Sequence, residues 1–326
     1  MGEIRVEDLV THRAVTSVVV ANRNRQRAAE LAARFGVESA DFESVRPDDF
    51  DSVMITTATA NHAQLLRKSM NTGRRIFCEK PIALDLRETR ELVAAADAMN
   101  CQLQIGFQRR FDAGIREAKK RIVSGDVGTL YVLHLVSHDH QPSPREFLEG
   151  SGSIYRDLHV HDFDVSTWLA DSEVETVYAT HRVREHRQYA DFDDGDVSLI
   201  HLVTVNGVQV AISGTRHDPR GHDVRFEVFG SRDTLTAGLT SRTPLLSLDQ
   251  PDIVDGKPWG GFIERFREAF RAETAAYVEW LQHGGPNPCP PRSAIHATEV
   301  AVACEISARE GRVVHLSEVR SGTAPT

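Results

Sequence analysis

The sequence predicts an α/β protein of two domains, an N-terminal parallel sheet and a C-terminal α/β domain with a largely antiparallel open sheet. The length of 326 residues corresponds to about two domains at ~150 residues each. From residue 15 to about 107, short β-branched runs alternate with helical repeats, whereas two-residue alternation dominates afterwards. We therefore divide the chain into domains 1–108 and 109–326.

Composition and charge exclude several classes of protein. Apolar residues make up 40% and charged residues 26% of the chain, which excludes disordered and coiled-coil chains. A net charge of -9 without basic runs argues against a nucleic-acid partner. No apolar stretch reaches the ~18 residues of a membrane span, so no membrane partner is expected. Four cysteines without metal-type spacing fit a reducing, cytoplasmic location.

The first domain is predicted to alternate strands and helices, which is typical of a parallel sheet with crossover helices. Strands are predicted at Val15–Ala21, Ser52–Thr57, Arg75–Cys78 and Gln102–Phe107, with a weaker strand near Ala40–Phe42. Helices are predicted at Arg25–Phe35, His62–Thr72 and Leu86–Met99. Gly36 and Gly73 follow the first two helices as suitable ends, and Asp85 is a suitable N-cap for the third.

The second domain is predicted to pair its strands mostly antiparallel. Strands are predicted at Leu130–Ser137, Val174–Val183, Val197–Val205, Val208–Gly214 and Val224–Phe229. Helices are predicted at Phe111–Ser124, Tyr155–Leu169, Gly261–His283 and Ala294–Gly311. Asn206-Gly207 between two of the strands is a strong hairpin signal.

The beginning of the chain departs from the strand, Gly-x-Gly-x-x-Gly, helix order of a nucleotide-binding domain. Gly2 is followed at once by a helix predicted at Glu3–Thr11, and the next strand ends near Asn22, twenty residues after Gly2. This spacing fits Gly2 as the third glycine of a fingerprint whose first strand and first two glycines are absent. An ordinary N-terminal helix fits the spacing equally well.

The absent strand has a predicted structural consequence. In the usual strand order 3-2-1-4-5-6, the first strand is interior, so its loss leaves a gap in the sheet. The absent strand has two possible explanations: the true start codon lies upstream of Met1, or the protein is defective in cofactor binding. We favour the upstream start.

Lys80 lies in the segment Cys78–Ala83, which follows a predicted strand and precedes a helix. Ligands of open α/β sheets bind at the carboxyl ends of the strands, where this lysine is placed. A lysine there can stabilise negative charge on a substrate oxygen. The alternative is a solvated loop lysine paired with Glu79.

Asp157, His161 and Asp164 are spaced at i, i+4 and i+7, so one continuous helix would place them on one face. A carboxylate beside a histidine fixes the tautomer and stabilises the imidazolium, as a general base requires. The alternative is a polar helix face with a structural ion pair. His159 points elsewhere and is predicted to be structural.

Three imidazoles on one face of a strand could ligate zinc, and the even spacing of His134, His138 and His140 places them in this way. A strand separates the first two by about 13 Å, too far for one ion without a bend. We therefore predict no metal site.

Five segments occur together in order along the chain: CEKPIAL (78–84), GFQRRFD (106–112), SGSIYRDLHVHDFD (151–164), FEVFGS (226–231) and SAREGR (307–312). In this combination the chain resembles the Gfo/Idh/MocA family of oxidoreductases, especially its inositol 2-dehydrogenase-like branch. The resemblance implies a Rossmann-type domain followed by an α/β domain whose open sheet commonly mediates homodimers or homotetramers.

The resemblance also implies roles for matching residues. The catalytic residues it implies are Lys80, Asp157 and His161, with Lys80 as an alternative base. The substrate residues it implies are Asp164, Arg109, Asp139 and His222, the last in a place where many relatives carry an aromatic residue. The cofactor residues, together with Gly2 from its spacing, are Asn22, Arg23, Thr56, Thr57, Asn61, His62, Glu79 and Lys80.

The cofactor implied is NAD(P), with a lean to NADP. NAD-preferring relatives carry an acid where this chain has Asn22 followed by Arg23. A carboxylate would repel a 2′-phosphate, whereas an amide and a guanidinium can accept and neutralise it.

The predicted function is oxidation of a secondary alcohol of a cyclitol or sugar, or the reverse reduction. His161, oriented by Asp157, would take the hydroxyl proton, and Lys80 would stabilise the oxygen. Two alternatives remain at this point, a non-catalytic sugar or nucleotide sensor on the same fold and a metal-dependent hydrolase that uses the histidine cluster.

Overall fold

The computed structural model describes residues 1–250 and 256–322, and the chain divides into two compact units. The first unit comprises Met1–Phe111 and Glu268–Ala294, and the second comprises Asp112–Arg267 and the residues from Ile295 onward. The division after Phe111 lies near the predicted boundary. The segment Glu268–Ala294, however, was assigned to the second domain from the sequence and packs with the first unit instead.

In the first unit, strands and helices alternate as predicted. The strands are β1 (Val19–Asn22), β2 (Glu38–Asp41), β3 (Ser52–Ile55), β4 (Arg75–Glu79) and β5 (Leu103–Gly106). The helices are α1 (Gly2–Val10), α2 (Arg25–Phe35), α3 (His62–Met70) and α4 (Leu86–Ala98). The side chain of Asn24 caps α2, and the predicted N-cap Asp85 accepts from the Glu88 amide at the start of α4.

The parallel strands form two separate sheets within the described residues, in the orders β1-β2 and β3-β4-β5. The sequence predicted a gap at this place, between β1 and β3. Burial follows the division: every residue of β5 is buried, whereas the apolar residues Val19, Val20 and Ala21 of β1 are only partly buried. Strands of parallel sheets are normally covered on both faces and read as apolar runs, so β1 has the sequence of an interior strand without its burial.

The second unit is built on one seven-stranded sheet in the order β11-β10-β6-β9-β8-β7-β12. Its strands are β6 (Leu130–His138), β7 (Val174–Arg182), β8 (Val197–Thr204), β9 (Gln209–Thr215), β10 (Asp223–Gly230), β11 (Thr234–Ala237) and β12 (Val314–His315). Only β6 and β9 pair parallel, so the predicted antiparallel character is confirmed. Asn206-Gly207 forms the predicted hairpin turn, with Gly207 at φ 86°.

One face of this sheet is open. β8 alternates buried and exposed side chains, so that Leu202 is buried while Leu199 is 65% exposed. Tyr131 of β6 and Tyr178 of β7 are 53% and 40% exposed. We call the set of Leu199, Tyr131 and Tyr178 the open face.

The remaining helices include several that the sequence did not predict, such as those at Arg145–Ser151 and Leu316–Ser321. They are α5 (Ala113–Val123), α6 (Arg145–Ser151), α7 (Ile154–Asp157), α8 (Val160–Ala170), α9 (Phe262–Arg265), α10 (Arg267–His283), α11 (Pro291–Glu310) and α12 (Leu316–Ser321). None of the helices in the described ranges is long and apolar enough to span a bilayer.

The helix predicted over Tyr155–Leu169 is interrupted between α7 and α8, so the prediction of one continuous helix is wrong. The His159 amide bonds the Ile154 carbonyl, five residues back, rather than the carbonyl four residues back. This wider turn inserts a residue into the helical register. Asp157 and His161 therefore lie on two helical segments rather than on one helix face.

The segment Glu268–Ala294 is held in the first unit by aromatic packing. Tyr277 and Trp280 of α10 form a buried cluster with Phe77 of β4. The Phe77 and Tyr277 rings meet edge to face with centroids 5.5 Å apart, and the Tyr277 hydroxyl hydrogen-bonds Ser52 Oγ at 2.5 Å. Burial of these aromatic rings against β4 holds the helix in the first unit, although its position in the sequence suggested that it belongs to the second domain.

Candidate functional site

In the first unit, most of the predicted cofactor residues lie at the carboxyl edge of the sheet β3-β4-β5. Thr56 and Thr57 directly follow β3, and Lys80 directly follows Glu79, the last residue of β4. Because these strands are parallel, their ends share one edge. The start of α1 reaches the same edge, since a Cβ on Gly2 would lie 3.1 Å from Thr56 Oγ1. A larger residue at Gly2 would press on Thr56.

His62 ties two loops of this edge together. Its Nδ1 lies 2.8 Å from the Pro81 carbonyl oxygen and its Nε2 lies 3.0 Å from the Thr57 carbonyl oxygen. The ring is buried. Asn61, the residue before it, ends a 3-10 turn in the same loop. His62 therefore links the loop after β3 to Pro81, the residue that follows Lys80, a contact that the sequence motif did not show.

Arg5 of α1 is buried between two carboxylates of the first unit. Its guanidinium donates to Glu79 Oε1 at 2.8 and 3.1 Å and also to Glu273, and it lies 4.6 Å from the centroid of the Phe77 ring. Burial lowers the pKa of Arg5, but Glu273 and Glu79 outweigh burial and raise it. The charged arginine thus fixes Glu79 beside Lys80.

Asn22 and Arg23 are exposed at the end of β1. The Asn22 side-chain oxygen accepts from the Asn24 amide at 2.9 Å, and Arg23 donates to Gln64 Oε1 at 3.0 Å. Asp41 pairs with Asn22 in the β1-β2 register, but its carboxylate is bonded to Arg25 at 2.7 Å. The end of β1 therefore presents the amide of Asn22 and the guanidinium of Arg23, while the nearby Asp41 carboxylate is already paired with Arg25.

The sequence predicts that Asn22 and Arg23 contact the 2′ position of a nicotinamide dinucleotide, and both side chains are exposed at the end of β1. Glu79 and Lys80 lie at the end of β4, where ligands of such sheets bind. The close approach of Gly2 to Thr56 brings the amides at the start of α1, which have no helical partners, to the same edge.

In the second unit, Arg216 lies fully buried between Asp157 and Asp194. Its Nη1 donates to Asp157 Oδ2 at 2.8 Å and its Nη2 donates to Asp194 Oδ2 at 3.2 Å. Asp194 also accepts from the Ile154 amide at the start of α7. Burial opposes the charged form of Arg216, but the two carboxylates prevail and raise its pKa. The predicted catalytic acid is thus held by an arginine that the sequence analysis did not single out.

His159, predicted to be structural, anchors the start of α8. Its Nδ1 lies 2.8 Å from Asp162 Oδ2 and its Nε2 lies 2.7 Å from Ser198 Oγ, and Asp162 accepts from Ser137 Oγ at 2.8 Å. All four side chains are buried. The network ties α8, which carries His161 and the buried Asp164, to β6 and β8.

The predicted substrate residues are distributed over both units. Asp139 and His222 meet in the second unit, with His222 Nδ1 3.4 Å from Asp139 Oδ1. Asp164 lies in the same unit on α8. Arg109 belongs to the first unit, where it is buried in a 3-10 turn.

The three histidines considered as a zinc site contact Glu227 and two different groups of Asp218. His134 pairs with Glu227 at 3.2 Å. His138 lies 3.8 Å from the Asp218 carboxylate, whereas His140 bonds the Asp218 carbonyl oxygen at 2.9 Å. His134 and His138 lie on β6, whereas His140 lies two residues beyond its end.

Comparison with known proteins assigns the chain to a family. The oxidoreductase family with an NAD-binding Rossmann fold, GFO_IDH_MocA, matches residues 1–107, and the GFO/IDH/MocA C-terminal domain matches residues 115–236. A myo-inositol dehydrogenase of Streptomyces leeuwenhoekii is 33% identical over 266 residues, 81% of this chain and 80% of the relative. The chain belongs to the Gfo/Idh/MocA family. The predicted family and fold class are confirmed.

Other relatives match this Gfo/Idh/MocA protein from end to end. A scyllo-inositol 2-dehydrogenase (NAD(+)) of Bacillus subtilis is 28% identical over 331 residues, 99% of this chain and 95% of the relative. The crystal structure of a putative myo-inositol dehydrogenase from Sinorhizobium meliloti shares 28% identity and a TM-score of 0.89, covering 97% of this chain and 96% of that one. The family makes this chain an oxidoreductase with an NAD-binding domain, which favours catalysis over the sensor alternative.

Because the ion pairs of Arg5 are buried, replacing Arg5 should destabilise the protein much more than replacing an exposed arginine of the first unit. Arg5→Met leaves Glu79 and Glu273 buried without their cation, which should cost about 3–5 kcal/mol of unfolding free energy. Arg34→Met removes an exposed pair with Glu3 and should cost at most about 1 kcal/mol. Denaturant unfolding of both variants measures the difference, and similar losses would contradict the assigned role of Arg5.

Proposed function

We propose that this Gfo/Idh/MocA protein oxidises a secondary hydroxyl of a cyclitol or sugar with a nicotinamide cofactor, or catalyses the reverse reduction. The observation that carries the proposal is Arg216, which is buried and holds Asp157 immediately before the helix that presents His161. The inositol dehydrogenases among the relatives support a cyclitol as substrate.

The proposed roles follow from charge and proton demand. His161 takes the proton of the reacting hydroxyl, and Asp157, a carboxylate paired with Arg216, stabilises the imidazolium that forms. Lys80 stabilises the substrate oxygen as negative charge develops on it. The bound nicotinamide supplies the hydride acceptor. The remaining hydroxyls are bound by Asp164, Asp139, His222 and Arg109.

We propose that the protein prefers NADP to NAD as its cofactor. Gly2, Thr56, Thr57, Asn61, His62 and Glu79 are proposed to form or support the cofactor site with Lys80. Asn22 and Arg23 are the discriminating residues, because both are exposed and the adjacent Asp41 is neutralised by Arg25. An amide and a guanidinium at this corner favour a 2′-phosphate over a bare ribose hydroxyl pair.

The open face supports assembly of the chain as a homodimer or homotetramer. Leu199, Tyr131 and Tyr178 are exposed on neighbouring parts of one sheet, and exposed apolar patches commonly mark interfaces between proteins. A cytoplasmic location is proposed alongside, because the four cysteines are free thiols, three of them buried.

Removal of either proposed catalytic group should abolish most turnover. Lys80→Met and His161→Asn should each lower kcat for inositol oxidation by about 10²–10⁴-fold with the fold retained, while His283→Asn, an exposed histidine of α10, should leave kcat unchanged. Steady-state rates on a panel of inositols and aldoses measure this. A near-normal rate in the His161 variant would transfer the role of base to Lys80, and tight cofactor binding by the wild type without turnover would favour a sensor.

Cofactor choice should depend on the charge at the end of β1. Wild-type kcat/KM should be higher with NADP than with NAD, and Asn22→Asp should shift the ratio toward NAD by about tenfold or more, because it adds a negative charge beside the 2′ position. Gln26→Glu, on the exposed face of α2, is the matched charge control. A wild-type kcat/KM about tenfold better with NAD would contradict the lean to NADP.

The open face should determine the oligomeric state. Leu199→Arg places a charge in the middle of the apolar patch, which should convert the oligomer to monomer at micromolar concentration because the charge would be desolvated in an interface. Val123→Arg, at an exposed position of α5, should leave assembly intact. Sedimentation velocity distinguishes the species, and a monomeric wild-type protein would refute the proposed assembly.

A further inference from the structure

Three side chains that the proposed reaction does not use meet at one end of the sheet of the second unit. They are Glu185, His186 and His217, and one potential ligand atom from each lies within 4.8 Å of the other two. Glu185 is exposed, and both histidines are partly buried. This group is called the Glu-His-His cluster.

The sheet topology brings these residues together. Glu185 and His186 follow β7, and His217 follows β9. Both strands pair antiparallel with β8, which lies between them, so β7 and β9 end at the edge where β8 begins. The two histidines therefore approach each other over the first residues of β8, with ring centroids 5.0 Å apart.

Asp196, the residue before β8, fixes both approaching segments. Its carboxylate accepts from the backbone amides of Glu185 and His186, each at 2.8 Å. Its carbonyl accepts from the Arg216 amide, also at 2.8 Å, and Arg216 immediately precedes His217. The backbones that carry the three side chains are thus held by one buried residue, independently of any contact among the side chains themselves.

The polar atoms of the cluster are not used elsewhere. Within residues 1–250 and 256–322, the Glu185 carboxylate and the His217 ring make no hydrogen bond or ion pair. His186 Nε2 is buried and has no hydrogen-bond partner. A buried polar atom without a partner costs free energy of about 1–3 kcal/mol, and a metal ion bonded to this nitrogen would offset that cost.

We propose that the Glu-His-His cluster binds a divalent transition-metal ion, with Zn²⁺ as the preferred ion. Two imidazoles and a carboxylate are a donor set that Zn²⁺ accepts, with water in a fourth position. Tetrahedral ligands of zinc lie about 3.4 Å apart, so small side-chain rotations close the cluster around the ion. The site does not depend on the proposed oxidoreductase reaction, since none of its side chains has a role there.

Titration of tag-free, chelator-treated full-length protein with Zn²⁺ tests the proposal. Isothermal titration with the metal alone should give one saturable site per chain. His186→Gln and His217→Gln should each weaken binding by about tenfold or more, because each removes a ligand. His201→Gln, at an exposed position of β8 that bonds Gln209, should bind Zn²⁺ like the wild type.

A second readout separates ligand loss from misfolding. Co²⁺ in the wild-type site should produce visible d–d absorption that both histidine variants lose, while their far-ultraviolet circular dichroism stays that of the wild type. Absence of saturable Zn²⁺ binding to the wild type would overturn the proposal. Equal affinity in wild type and both folded histidine variants would overturn it as well. If a variant fails to fold, Glu185→Gln, at an exposed side chain, must weaken binding instead.

Discussion

A buried arginine between two carboxylates underlies the proposed functional residues in each unit. Arg5 joins Glu79 to Glu273, and Arg216 joins Asp157 to Asp194. A charge moved from water into a protein interior loses several kcal/mol of solvation, which only well-placed partners restore. Each arginine therefore requires its carboxylates in one arrangement. In the first unit this fixes Glu79, the residue before Lys80, and in the second unit it fixes Asp157 itself.

Much of the fold could be predicted because it is local. The helix Arg25–Phe35 was predicted to the residue, since its apolar spacing and a terminal Gly36 are encoded side by side. The hairpin at Asn206-Gly207 was equally local. By contrast, the partners of Arg5 lie 74 and 268 residues away, and those of Arg216 lie 59 and 22 residues away. Sequence periodicity carries no information on such pairs, although Arg5 stands between the buried apolar residues Ile4 and Val6 of α1.

Two departures from the predicted elements have the same origin. The interruption between α7 and α8 occurs where His159 turns inward to bond Asp162 and Ser198. The β9 backbone at Gly214 closely approaches the His159 ring, and a Cβ there would clash with it. The return of Glu268–Ala294 to the first unit likewise depends on aromatic burial against β4. In the first case tertiary contacts outweigh local helical propensity. In the second they outweigh the sequence order, which placed the segment in the second domain.

We infer that Arg216 acts on the reaction through Asp157, whose carboxylate it holds. The most direct test is a double-mutant cycle on kcat/KM for the oxidised cyclitol, using Arg216→Gln, Asp157→Asn and the double variant, each confirmed as folded. Residues that act as one unit give non-additive losses. The account predicts that the double variant is no slower than the slower single variant, within about twofold. Losses that multiply in the double variant would show that the two residues act independently and would contradict the account.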